Sequence, residues 1–243
     1  MNTKMKVLSL ALIGAFGYAG AAAAACPAGP TTAEGGAWSA KSTLGGSLAI
    51  TTPGLEGSEC KLEAAITVDG PGVNAFVRDN TPATEPRYRA QFTVDADAVG
   101  SLTSIQSVKV FGATTEAPAN GLTDVVRLTV TGNLAGTQKI LGIFTACDGQ
   151  PGSQCSASTP LAAGVNVIEI DWNQAGGTLD VWVNSNTEAG VTTTISGDSS
   201  AWGGVDYATL GLAAPSPSFR SGHLNQAVTF DRFDSRRQTF IGY

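Results

Sequence analysis

From residue 47 onward, apolar and polar residues trade places at every second position in short runs. The clearest case spans Val165 to Val183. In its first half Ile168, Ile170 and Trp172 share one side, and Glu169 and Asp171 share the other. In its second half Leu179, Val181 and Val183 lie opposite Asp180 and Trp182. An Asn-Gln-Ala-Gly-Gly segment separates the halves. A period of two on both sides of a turn-forming segment predicts a β-hairpin with one apolar and one polar face. Similar runs recur at Ser47–Thr51, Leu62–Val68, Ala75–Arg78, Arg87–Val94, Ser107–Phe111, Val125–Thr131, Lys139–Thr145, Val191–Ile195, Tyr207–Leu212 and Val228–Phe233. Gly, Pro, Asn and Asp clusters divide them. After the first 25 residues no window keeps a helical period over ten residues, so the chain reads as an all-β sandwich or barrel.

The first residues follow a different rule. Met-Asn-Thr-Lys-Met-Lys precedes an apolar stretch that ends in Ala21 to Ala25 and Cys26-Pro27. A basic start, an apolar middle and a small-residue exit predict a secretory signal peptide over residues 1–25, with lipidation of Cys26 or retention as an anchor as the other readings. Residues 26–46, rich in Pro, Gly, Ala and Thr, read as an amino-terminal arm, and 47–243 as the sandwich domain. No second apolar run is long enough to span a membrane. The expected location is extracellular or periplasmic.

Export changes how the cysteines and charges are read. Four cysteines in an oxidising compartment favour disulfides over zinc, for which spacing and histidine partners are missing. Three pairings are open. Cys147 and Cys155 close a short loop, which leaves Cys26 for Cys60. The chain carries a formal charge of −6, and removal of the leader takes away two lysines and leaves about −8. Nucleic-acid binders need a basic footprint, so that partner class is excluded.

The hairpin resembles the apolar-x-apolar-x-Trp, turn, Leu-x-Val-x-Val pair of laminin-G-like domains in the concanavalin A-like jelly-roll superfamily. The tail, with Leu210-Gly211, Phe219, Gly222 and Val228-Thr-Phe-Asp-Arg-Phe-Asp-Ser-Arg-Arg237, resembles the closing strands of exported bacterial members. The block from Phe76 to Phe92 is also similar to them. The resemblance covers Leu62 to Gly242 and implies a two-sheet antiparallel jelly roll. That fold hosts lectins, adhesins and glycosidases alike, so function has to be argued from the residues.

Glu169-Ile170-Asp171 is similar to the start of the Glu-x-Asp-x-x-Glu strand of retaining glycosidases in this superfamily. Trp172-Asn173-Gln174 follows, and no glutamate completes the set. Hydrolysis needs two carboxyls about 5 Å apart across the sugar bond, one of them an acid for the leaving group. The sequence therefore predicts no enzyme of this kind. The lone His223, in a loop with no identifiable nucleophile, reads as a surface residue. Calcium remains a candidate cofactor, because related domains bind it and oxygen donors occur near Asp69, Asn74, Asp79 and Asp148.

The polar strand faces carry Arg87, Arg89, Arg127, Glu169, Asp171, Asp180 and Trp182. They form either cross-strand ion pairs or a binding groove. An indole beside hydrogen-bonding groups suits a sugar ring, so Trp182, Asp180, Asp171, Glu169 and Arg89 are the candidate ligand-binding residues. The resulting expectation is an exported, non-enzymatic protein that binds glycan or another cell-surface ligand. The alternatives are a self-associating envelope protein and a glycosidase-like enzyme.

Overall fold

The computed structural model describes residues 25–119, 122–147, 153–236 and 239–243. The leader segment up to Ala24, and with it the signal-peptide expectation, lies outside the described residues, as does Asp148. Fourteen strands occur among the described residues: β1 (Ala40–Ser42), β2 (Gly46–Thr51), β3 (Lys61–Ile66), β4 (Ala75–Asp79), β5 (Arg87–Asp95), β6 (Ser107–Ala119) and β7 (Leu122–Gly132) come first. They are followed by β8 (Lys139–Ala146), β9 (Gln154–Pro160), β10 (Val165–Asn173), β11 (Thr178–Val183), β12 (Thr193–Ser196), β13 (Tyr207–Ala213) and β14 (Ala227–Arg236). They form two seven-stranded antiparallel sheets. The front sheet runs β1-β4-β13-β6-β7-β8-β9, and the back sheet β12-β11-β10-β5-β14-β3-β2.

The period-two pattern decides what lies between the sheets. Ala90, Phe92, Ile168, Ile170, Trp172, Leu179, Val181 and Phe230 of the back sheet join Phe111, Leu128, Leu141, Ile143 and Leu210 of the front sheet in one buried cluster. Phe92 and Phe111 stack across the gap with ring centroids 5.4 Å apart. The opening hairpin pairs as β10 and β11, with Ile170 opposite Val181 and Glu169 opposite Trp182.

Besides two three-residue 3-10 turns, three elements escaped the periodicity. β1 is only three residues long. β9 (Gln-Cys-Ser-Ala-Ser-Thr-Pro) closes one edge of the front sheet with small polar side chains that carry no apolar signal. The helix α1 (Pro217–Gly222) is too short for a period. Its start is set by Pro217 and by Ser216, whose side chain accepts from the Phe219 N–H at 3.2 Å. α1 also corrects the reading of His223. The ring is buried rather than surface-exposed, packed on Phe219 and hydrogen-bonded through Nδ1 to Gln226.

Both disulfides form as expected, Cys26–Cys60 and Cys147–Cys155, and no described cysteine is free. Two such bonds suit an oxidising compartment. No helix among the described residues is long and apolar enough to cross a membrane.

The two bonds span 34 and 8 positions. Loop-closure entropy then assigns about 4 kcal/mol to Cys26–Cys60 and about 2.5 kcal/mol to Cys147–Cys155. Replacing each pair by alanine and measuring denaturant unfolding should show the larger loss for the arm. An equal loss would mean that the arm is not fastened to the body through that bond.

Candidate functional site

The polar face of the hairpin belongs to the back sheet, and it is filled. Arg89 is 0% exposed, Glu169 1%, Trp182 3% and Asp171 5%. Arg89 Nε donates to Glu169 at 2.6 Å and Nη1 to Asp171 at 3.3 Å. Arg87 clamps Asp171 through Nε and Nη2 at 3.0 and 2.6 Å. Hydrogen bonding to Asp171 holds the Arg87 guanidinium above its ordinary arginine value. Burial on this scale requires each carboxylate to have partners, and each does.

The rest of the cover comes from the end of the chain. The backbone N–H groups of Ile241 and Gly242 donate to the two Glu169 oxygens at 2.9 and 3.0 Å, and Gln91 Nε2 donates to the Gly242 carbonyl. The Phe240 ring lies 5.6 Å from that of Trp182. The Arg89 guanidinium sits over both rings, at 5.0 and 4.7 Å. Those ring faces are what Arg89 has in place of a hydrogen-bond partner for Nη2. Trp182 Nε1 donates to the Glu188 carbonyl at 2.9 Å.

Trp182 therefore points away from the core, as its strand period requires, but it is not exposed. Of the two readings of this face, ion pairs hold: the candidate ligand-binding residues Trp182, Asp171, Glu169 and Arg89 form a packed layer under the tail in place of an open groove. Asp180 stands apart at the margin, where it accepts from Thr194 Oγ1 at 2.5 Å. The calcium candidates are dispersed: Asp69 pairs with Arg220, Asp79 caps Thr81, and the Asn74 amide donates to Gly72.

The outer face of the front sheet is open. Register brings Arg78, Thr209, Gly112, Arg127, Phe144 and Ser156 into one row across β4, β13, β6, β7, β8 and β9. The neighbouring row holds Lys109, Thr129, Gly142 and Ser158. On the far side Tyr207 faces Thr114, which bonds Asp124 at 3.2 Å. Lys109, Arg127, Thr129, Gly142, Phe144 and Ser158 line a groove of about 670 Å³.

Glycine and small hydroxyl side chains keep this groove low. A Cβ on Gly142 would lie 2.5 Å from Thr129 Oγ1. One on Gly112 would come within 3.2 Å of Asp124, Thr209 and Lys109 together. Larger residues there would fill the floor. From β4 to β8 the row spans about 19 Å at the usual strand spacing, long enough for an oligosaccharide.

The charges on this face differ in their ion pairs, although Arg78 Nε and Arg127 Nε are both buried without a hydrogen-bond partner. Lys109 Nζ holds both oxygens of Asp124 at 3.1 Å, and Arg78 pairs with Glu116 at 3.4 Å while stacked 3.6 Å over the Tyr207 ring. Arg127 lies 4.3 Å over Phe144 and has no ion pair among the described residues. Its Nε is buried without a partner.

No family model matches this chain, and no curated protein sequence matches it. Its backbone does resemble solved structures. An endo-β-1,4-glucuronan lyase from the fungus Trichoderma reesei superposes with a TM-score of 0.60 at 12% identity, covering 83% of this chain and 91% of that one. An alginate lyase from Pseudomonas aeruginosa gives 0.54 at 14% identity, covering 73% and 83%. The fold is a jelly-roll sandwich. A structure of botulinum neurotoxin type C, whose cell entry depends on two ganglioside molecules, gives 0.53 at 10% identity, with 84% of this chain covering 44% of that one.

At these identities the likeness concerns the fold alone, yet it overturns the expectation of a non-enzymatic protein. That expectation rested on a missing third carboxylate, which hydrolysis requires. The lyases place polysaccharide cleavage on this same sandwich, so a missing carboxylate no longer argues against an enzyme.

If the back face is a packed layer, Trp182→Ala should cost about 3–5 kcal/mol, as for other buried aromatics. Arg89→Met should cost a similar amount, about 3–5 kcal/mol, by stranding Glu169. Melting curves decide it. A stability within a few tenths of a kcal/mol of the parent would mean that the tail does not cover this face.

Proposed function

We propose that this protein is an exported enzyme that cleaves an acidic polysaccharide by β-elimination on the outer face of the front sheet. The observation that carries this reading is Arg127: a half-buried guanidinium with no ion pair among the described residues, stacked on Phe144 at the wall of an open groove with a glycine, serine and threonine floor. A uronate carboxylate is the complement of a guanidinium without an ion pair, and Phe144 offers an apolar surface to a sugar ring. The protein is acidic overall, but Arg78, Lys109 and Arg127 gather on this one face. The field that a bound polymer meets is therefore local.

Elimination makes smaller demands than hydrolysis. A base removes the proton on C5, beside the carboxylate. The electron pair forms the C4–C5 double bond, the C4–O bond breaks, and the leaving oxygen takes up a proton. The carbanion-like transition state places charge on the carboxylate, where Arg127 stabilises it electrostatically. In this reading the Lys109–Asp124 pair, whose lysine lines the same groove, orients the sugar hydroxyls. The leader over residues 1–25 and the two disulfides support export.

The test is to incubate the mature protein with polyglucuronate, alginate, pectate and hyaluronan, and to follow ultraviolet absorbance of the new double bond. Arg127→Ala should lower kcat/KM on the cleaved polymer by about 10²-fold or more, with an unchanged melting temperature. Absence of unsaturated product from every acidic polymer, or full activity in Arg127→Ala, would end this reading.

A further inference from the structure

A second cavity lies away from the groove, where β3 and β14 separate. β14 pairs with β3 only from Ala227 to Phe230. A bulge between Asp231 and Asp234 follows, with Arg232 at a φ of 48°. Bulges re-aim the side chains beyond them, and here Phe233 turns onto Trp38, with ring centroids 4.7 Å apart. The gap is bridged by the 54–60 loop, whose Leu55 N–H donates to Asp231 at 2.7 Å. The amino-terminal arm forms one side of it. Cys26–Cys60 fastens one end, and the Trp38 N–H donates to the Pro30 carbonyl at 3.1 Å.

These parts border a cavity of about 250 Å³ that is open on one side, walled by Trp38, Ile50, Leu62, Leu210, Phe230 and Phe233, with Lys61 and Arg232 also lining it. The charges there are not balanced. Asp231, the acid of the lining, already accepts from Leu55, Ser58 and the Arg232 N–H. Lys61 reaches Glu63 only at 3.7 Å. Arg232 donates to the Glu56 carbonyl and has no ion pair among the described residues. An apolar slot with cations at its margin complements an apolar ring with one negative group. The size fits a single ring with a short substituent, being larger than the roughly 150 Å³ cavity that holds benzene and just below the roughly 300 Å³ of ordinary small-molecule sites.

We propose that this cavity binds a small aromatic carboxylate, with the ring against Trp38 and Phe230 and the carboxylate at Lys61 and Arg232. The site shares no residue with the groove, so it stands whether or not the protein cleaves polysaccharide. Trp172, Trp182 and Trp202 are buried elsewhere, which leaves half-buried Trp38 as the reporter. The test is to titrate the mature protein with phenylacetate while following tryptophan fluorescence and amide chemical shifts. A saturable response confined to the arm, β3 and the β14 bulge is expected, at least tenfold weaker with neutral 2-phenylethanol. In Lys61→Gln/Arg232→Gln that preference should disappear while 2-phenylethanol binding stays the same. No saturable response, equal affinity for the two probes in the parent, or a preference that survives in the double variant would each overturn the proposal.

Discussion

Each of the two sheets has one apolar face. Burying these faces against each other leaves two outer faces that the protein treats in opposite ways. The inner contact, typified by Phe92 on Phe111, holds every other side chain of fourteen strands in place. A strand cannot turn neighbouring residues the same way. Once Ile168, Ile170 and Trp172 are inside, Glu169 and Asp171 must be outside. Once Val126, Leu128 and Val130 are inside, Arg127 and Thr129 line the groove.

Electrostatics sets the two outer faces apart. On the back sheet, charges of both signs meet within hydrogen-bonding distance, and the tail removes them from water. A buried cluster of this kind is tolerable because Asp171 is shared by two arginines, and Glu169 by Arg89, Gln91 and two backbone N–H groups. On the front sheet, Lys109 and Asp124 neutralise each other, while Arg127 is left over beside small residues. One face serves the fold, and the other has unsatisfied hydrogen-bonding capacity.

The correction about enzymatic activity has a chemical cause. Glu169 and Asp171 stand out in the sequence because paired carboxylates are the mark of glycoside hydrolysis, and that reaction is lost without a third. Elimination at a uronate uses the acidity of the substrate's own C5–H, so it needs a cation and a proton carrier instead of a carboxylate pair. Arg127 and the small residues of the groove, which suit that chemistry, sit on strands whose sequences look ordinary. The signals that could have led to them were Gly112 and Gly142, glycines inside strand patterns, which commonly mark a close approach by something other than a side chain.

The sequence alone determined the fold class, most of the strands and the side of the sheet on which each residue lies, because a two-residue period is a local property of the backbone. It also pointed to Cys147–Cys155, through a short loop, and to Cys26–Cys60 as the pair that remained. Only the tertiary structure decided which outer face is covered. Glu169 is capped by Ile241, 72 positions away, and Gln91 by Gly242, 151 positions away. No window along the chain contains such a contact. Likewise, Arg127 and Phe144 become neighbours through the register of β7 on β8, and Trp38 meets Phe233 through a bulge and an arm held by a disulfide. Alternation says which way a side chain points; the groups in front of it depend on segments brought there by long-range pairing.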